Sequence, residues 1–488
     1  MSWLQAPDYW LARLVLQRGL AGIYLIAFLV AVNQFRPLLG EHGLQPVPRF
    51  VAVVPFRRAP SLFHFRYSDR LFGVVAWTGV VLAAAALAGL PEAAPVWVSM
   101  LVWLVLWGLY LSIVNVGQVF YGFGWETLLL EAGFLAVFLG PSRMVPPTLV
   151  LVAVRWLVFR VEFGAGLIKL RGDECWRKLT CLDYHHETQP MPNPLSWYFH
   201  HLPKRLHRLE VLGNHFAQLV APVALFLPQP VASIGAAVIV VTQLWLVLSG
   251  NFSWLNWITI VLALSACDDR FLNRVLPGGR GPLHLAGQPG WYQVLVVVLA
   301  VGIVVLSYRP ARNLLSRRQL MNSSFNSLRL VNTYGAFGSV TKQRFEVVVE
   351  GTAAENPRGP GVEWKEYEFK GKPGDPRRRP PQVAPYHLRL DWLMWFLALP
   401  GRFDDRWFVA FLVRLLEGDR ATLRLLRSNP FPDGPPRYVR ARLFRYRFTT
   451  RAERAEGGAW WVRSWVADLV APMSLAGTGA RSGATSPP

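Results

Sequence analysis

Leu71-Phe-Gly-Val-Val-Ala-Trp-Thr-Gly-Val-Val-Leu-Ala-Ala-Ala-Ala-Leu-Ala-Gly-Leu90 contains no charged residue. At ~1.5 Å rise per residue, a helix of this length crosses a ~30 Å hydrocarbon layer. A short turn, Pro91-Glu92-Ala-Ala-Pro95, leads into a second such stretch from Val96 to Val114. Its Trp97, Trp103, Trp107 and Tyr110 suit interfacial anchors or packed aromatic positions. Together the two stretches predict a membrane-embedded helical fold.

The whole composition agrees. The chain has 488 residues, 52% of them hydrophobic and 17% charged, with 21 Trp. Such a composition does not suit one soluble core and predicts a polytopic membrane protein. The net charge of +21 comes largely from Arg residues spread between apolar runs. No nucleic-acid-binding motif accompanies them, so nucleic acid is not an expected partner and membrane lipids are. Three cysteines exclude a disulfide-rich scaffold. Met1 to Arg18 lacks the pattern of a cleaved signal peptide, so the first span, residues 11–32, is expected to act as a signal anchor. The loop after it carries Arg36, Arg49, Arg57, Arg58 and Arg66 against Glu41 and Asp69, which the positive-inside rule puts in the cytoplasm.

Downstream, Glu126 and Glu131 lie in an apolar helical segment that runs to Gly140. The next, Thr148 to Leu170, contains Arg155, Arg160, Glu162 and Lys169. At 3.6 residues per turn Arg155, Glu162, Gly166 and Lys169 share a face, which must look at a partner helix or a wet cavity rather than lipid. Glu131 is the natural partner of Arg155 or Arg160. The six charges then form either a structural ion-pair cluster or the lining of a functional cavity. Further apolar runs at 216–227, 231–249, 252–267 and 291–308 bring the count to about seven to nine transmembrane helices.

Between the spans lies a polar island, residues 169–214. Six of the ten histidines and two of the three cysteines fall between residues 175 and 215. Gln189-Pro-Met-Pro-Asn-Pro194 has proline at alternate positions, which enforces extended backbone and rigid presentation of its neighbours. After Arg309 the sequence becomes mixed. Residues 344–351, 362–369 and 437–448 read as strands and 407–426 as helical. The expected organisation is a membrane domain over 1–308, a smaller β-rich or α+β extramembrane domain over 319–450, an interfacial helix over 451–476 bearing Trp460, Trp461 and Trp465, and a disordered tail over 477–488.

Several of these stretches resemble one family. Phe123-Gly-Trp-Glu126, Leu129-Leu-Glu-Ala-Gly-Phe134, Gly164-Ala-Gly-Leu-Ile-Lys-Leu-Arg-Gly-Asp173, Cys175-Trp-Arg177 and His186-Glu-Thr-Gln-Pro-Met-Pro-Asn-Pro194 resemble the lipase maturation factors, as do Asn214-His215-Phe216 and Val383-Ala-Pro-Tyr-His-Leu-Arg-Leu-Asp-Trp392. The resemblance covers roughly residues 100 to 450. It implies a chaperone-like role for a secreted lipase-like client, with the island and the C-terminal domain on the lumenal side. The short loops and compact C-terminus give the chain the look of a bacterial member. The membrane would be the bacterial inner membrane in that case, and the endoplasmic reticulum in a eukaryote.

No Gly-x-Ser-x-Gly elbow is present, so no hydrolase site, no catalytic residue and no cofactor is expected. Asp173, Trp176, Asp183, His185, His186, Glu187, Gln189, Pro190, Asn193, Asn214 and His215 are the candidate client-recognition or loop-core residues. Asp183, His185, His186 and Glu187, with His200, His201, His207 and His215, could ligate metal, but no His-Glu-x-x-His or Cys/His zinc spacing occurs and no metal is expected. Cys175 and Cys181 lack Cys-x-x-Cys spacing, leaving a local disulfide, two free thiols or exchange with a client open. The alternative function is a membrane enzyme acting on a lipophilic substrate, resembling the vitamin K-dependent carboxylase in fold.

Overall fold

A computed structural model describes residues 2–276, 284–399 and 406–475. The membrane part contains α1 (Trp10–Leu39), α2 (Asp69–Ala88), α3 (Val96–Asn115), α4 (Gly124–Ala136), α5 (Thr148–Arg171), α6 (Leu182–Thr188), α7 (Lys204–Leu219), α8 (Val231–Ser249), α9 (Leu255–Ala263) and α10 (Gly290–Leu315). Helix starts and stops follow local chemistry. The Ser68 hydroxyl accepts from the Leu71 amide at 3.1 Å to cap α2, and Gly89 ends that helix at φ 88°, where an L side chain would be strained. The first amides of α1 are capped from a distance, Asp269 accepting from Trp10 and Leu11 at 3.1 and 2.9 Å.

Five helices, α1, α2, α3, α8 and α10, are long and apolar enough to cross a membrane. Large apolar side chains such as Val74, Trp77, Val241 and Val304 are exposed on them, which only lipid accommodates. The protein is an integral membrane protein. The other apolar runs become passes sheltered by these spans. Helix α4 has 13 residues, α9 has nine, and α7 continues through a turn at Ala221–Ala224. Helix α5 has 24 residues but carries too many charges to face lipid. The sequence-level seven to nine spans thus divide into five lipid-facing helices and shorter or charged passes among the described residues.

The chain shuttles between two ends. At one end, Arg13 donates to the carbonyls of Met144 and Ser142, and Gln288 donates to those of Leu4 and Val145. At the other, α1 finishes beside the C-terminal domain. Gln34 donates to the His387 carbonyl at 2.6 Å and accepts from the Arg389 amide at 3.0 Å, while Arg414 donates to the His42 carbonyl at 2.6 Å. The polar island shares this end: Trp395 donates to the Thr188 carbonyl at 3.1 Å. The Arg-rich loop and the C-terminal domain therefore lie on one side. The cytoplasmic placement of the former and the lumenal placement of the latter cannot both hold.

The C-terminal domain is a four-stranded antiparallel sheet, β1 (Arg344–Thr352), β2 (Lys365–Glu366), β3 (Tyr438–Phe448) and β4 (Trp461–Met473), in the order β2-β1-β3-β4. Its helices are α11 (Arg389–Leu397), α12 (Arg406–Leu416) and α13 (Arg451–Gly457). Two expectations are corrected. Of the interfacial helix expected over 451–476, the described residues, 451–475, form none: a short α13, with a capping box between Thr450 and Glu453, turns the chain into β4, and Trp461 pairs with Phe448. The aromatic run fits a pleated surface against the sheet's neighbours, and the domain extends to Met473 rather than 450. The strand expected over 362–369 shrinks to two residues, since neither of its faces is cleanly apolar. The expected tail, 477–488, lies outside the described residues.

Candidate functional site

Helix α4 brings Glu126 and Glu131 into the bundle, and each finds a complete nest. Glu131 pairs with Arg160 of α5, both nearly inaccessible to solvent. Its Oε2 also accepts from the Asn332 amide at 2.9 Å and the Tyr334 hydroxyl at 2.9 Å. Glu126 accepts from Arg389 of α11 at 2.7 Å and from the Tyr110 hydroxyl, and His387 Nδ1 sits 3.7 Å away. The Arg389 guanidinium lies 3.4 Å over the Tyr121 ring. Of the two arginines proposed for Glu131, Arg160 is the partner. Arg155 instead donates to the Ser265 carbonyl at 3.1 Å and stands over Tyr9.

Glu162 and Lys169 of α5 line a cavity of about 420 Å³, together with Trp125, His185, His186, Gln218, Gln243 and Trp392. Glu162 and Lys169 make no direct ion pair among the described residues. Neutral amides hold them apart: Gln243 donates to Glu162 at 2.6 Å and receives a bond from Asn256 at 2.7 Å, while Lys169 donates to Gln218 at 2.9 Å. Asn214 donates to the same Gln218 oxygen at 3.2 Å. The Lys169 ammonium also stands 4.8 Å from the Trp176 ring centre. A mainly apolar, aromatic wall with a few convergent polar groups is the character of a small-molecule or side-chain receptor.

The island forms this cavity's roof. Asp173 caps a short helical turn through the Cys175 amide at 3.0 Å. Trp176 donates to the Phe337 carbonyl at 2.8 Å, and His215 Nε2 lies 3.2 Å from the Trp176 carbonyl. Cys175 and Cys181 are joined as a disulfide with Cα atoms 4.8 Å apart. Asp183 is half-buried at the start of α6. His185 and His186 are buried in that helix, and burial drives both below the ordinary imidazole range, His185 to about 3. Both rings are therefore neutral near pH 7.

The proline run is not displayed at the surface. Gln189, Pro190 and Asn193 are buried, and Asn193 donates to the carbonyls of Val247 and Leu248. Gln189 donates to the Ser249 carbonyl at 2.9 Å. Rigid extended backbone here exposes carbonyls inward, and Arg344 of β1 gathers those of Glu187, Gln189 and Pro190 while paired with Glu346. Glu187 itself accepts from the Phe448 amide at 2.7 Å. These residues fasten the island to the C-terminal sheet.

Sequence reasoning missed Gln218, Gln243, Asn256, Arg344 and Arg389. Gln243 and Asn256 had a signal, being lone amides inside apolar runs. Arg344 had little, since the carbonyls it gathers lie more than 150 residues away in the chain, and Arg389 had only its place in the family-like run Val383 to Trp392, its partner Glu126 being 263 positions off.

Comparison with known proteins completes the picture. A family model described as lipase maturation factor transmembrane domain matches residues 11–274, and one described as lipase maturation factor C-terminal domain matches residues 330–471. The chain is 44% identical to lipase maturation factor 1 of Bos taurus, over 96% of this chain and 90% of that protein. Against lipase maturation factor 1 of Homo sapiens it is 44% identical over 97% and 89%. Against human lipase maturation factor 2 it is 28% identical over 95% and 83%. No solved structure matches.

Proposed function

Since the chain belongs to the lipase maturation factor family, we propose that it is a membrane-resident maturation factor assisting the folding or assembly of a secreted, lipase-like client. One observation carries the reading: identity of 44% runs through both the membrane part and the C-terminal domain, over 96% of the chain. The island and the C-terminal domain, fastened together by Arg344 and Glu187, form the client-facing unit. We further propose that this unit faces the secretory side, the endoplasmic reticulum lumen in a eukaryotic cell or the periplasm in a bacterial one. The Cys175–Cys181 disulfide supports that side, because such bonds persist in oxidising compartments. The Arg-rich loop 36–70 then lies there too, against the positive-inside expectation.

The test is co-expression with a secreted dimeric lipase in cells lacking their own factor. Active lipase in the medium should rise severalfold with the full chain and stay at background when the chain ends at Arg318. Unchanged lipase activity with the chain well expressed in the membrane would sink the proposal. A reporter fused after Arg318 checks the side: activity of a cytoplasmic reporter alone would overturn it.

A further inference from the structure

His186, His207 and Glu210 meet where α6 crosses the start of α7. One ligand-capable atom from each lies within 4.8 Å of the other two. His186 is 3% exposed, and neither of its ring nitrogens has a hydrogen-bond partner. A buried imidazole with both nitrogens idle is rare, because each forfeits its bonds to water and gains nothing in exchange. The other two residues are already oriented. They stand one helical turn apart, with His207 Nδ1 2.7 Å from Glu210 Oε2, and Trp245 Nε1 holds the second carboxylate oxygen at 2.9 Å. His207 Nε2 faces the His200 carbonyl at 3.5 Å, which favours the tautomer with its proton there. The 2.7 Å contact between Nδ1 and the carboxylate then requires a proton between them, and a cation can replace that proton.

We infer that His186, His207 and Glu210 form a site for a divalent transition-metal ion of the zinc class, with one coordination position open to the cavity. Two imidazoles and a carboxylate are donors that zinc, cobalt and nickel accept, whereas magnesium and calcium prefer oxygen alone. Metal bonds of about 2.0–2.1 Å in a tetrahedron put ligand atoms about 3.4 Å apart. The 2.7 Å pair must therefore open slightly and His186 must swing inward. Trp245 and the His200 carbonyl supply the outer hydrogen bonds that metal-ligating carboxylates and imidazoles ordinarily have. Both His186 and Glu210 line the cavity, so the fourth position takes water or an anionic oxygen of a cavity occupant. Binding releases the proton shared by His207 and Glu210 to solvent and involves no change of oxidation state. The ligands come from two helices, so no short sequence motif advertises them.

The test uses the full chain purified in detergent without a polyhistidine tag, stripped with chelator and titrated with zinc chloride. About one equivalent should bind saturably and raise the unfolding temperature. Cobalt chloride should give the visible absorption of a four-coordinate nitrogen/oxygen site. His186→Gln and Glu210→Gln should each weaken zinc binding by about 10-fold or more, while His42→Gln, at an exposed site, should bind as the wild type does. Should His186→Gln not fold, Glu210→Gln decides alone. No saturable binding to the wild type, or an equal zinc-induced rise in unfolding temperature in Glu210→Gln, overturns the inference.

Discussion

The two carboxylates of α4 and the pair Glu162 and Lys169 of α5 all enter the bundle, but they are met oppositely. Around Glu126 and Glu131 every carboxylate oxygen meets a donor, and the donors come from α3, α5 and beyond residue 330. Around Glu162 and Lys169 the neighbours are neutral amides and open volume. Buried charge is tolerated when paired, and losing one partner is costly because the other is stranded. Saturated nests are therefore fasteners, and the unsaturated set beside a cavity is free to engage something else.

The largest effect should come from opening a nest. Glu131→Ala leaves Arg160 stranded and should cost about 3–5 kcal/mol, read as a fall in the detergent unfolding midpoint and in membrane yield. A loss below about 1 kcal/mol would erase the distinction between the two sets of charges. Next comes acid. His387, enclosed with Glu126 and Arg389 among Trp125, Trp254 and Trp392, is held neutral by burial, its value lowered to about 4. The unfolded chain takes up that proton below about pH 6.5 while the folded chain resists until near 4. Stability from this group is complete above pH 6.5 and drains away as pH falls from there towards 4. The loss should be on the order of 3 kcal/mol in denaturation curves, and His387→Gln should flatten that part of the profile. An unaltered slope in the variant would remove His387 from the account.

On the open side, Glu162→Gln should change stability by less than about 1 kcal/mol, because the amide keeps the shape and Gln243 can reorient. A loss as large as that of Glu131→Ala would make the cavity charges fasteners as well. Smallest of all is Glu174→Ala. Its bond to Lys178 is as exposed as its surroundings, with both side chains 63% accessible, and no shift of the unfolding midpoint should be measurable.

Much of this was legible in sequence because its cause is local. Apolar run length announced the lipid-facing spans, and β-branched or aromatic alternation announced β1 and β3. The resemblance of 100–450 to the maturation factors rested on long residue strings and pointed to the right family. What sequence could not give depended on contacts across the chain. Whether Glu131 served Arg155 or Arg160 is a matter of helix rotation against a neighbour. Gln189 to Asn193 read as a displayed, rigid ridge, yet the carbonyls of Gln189 and Pro190 are gathered by Arg344, 155 and 154 positions downstream. The run around Trp460 to Trp465 read as an interfacial helix, and only its pairing with the distant β3 makes it a strand.

The distance in sequence between Glu126 and Arg389, 263 positions, also sets a timetable. The ribosome delivers α4 to the membrane long before it makes the arginine that completes the nest. Until then the young chain holds an acid in the bundle with no cation of its own to meet it. Completion of the membrane half thus waits on the last third of the polypeptide. A chain cut short before residue 389 lacks the guanidinium that closes this nest.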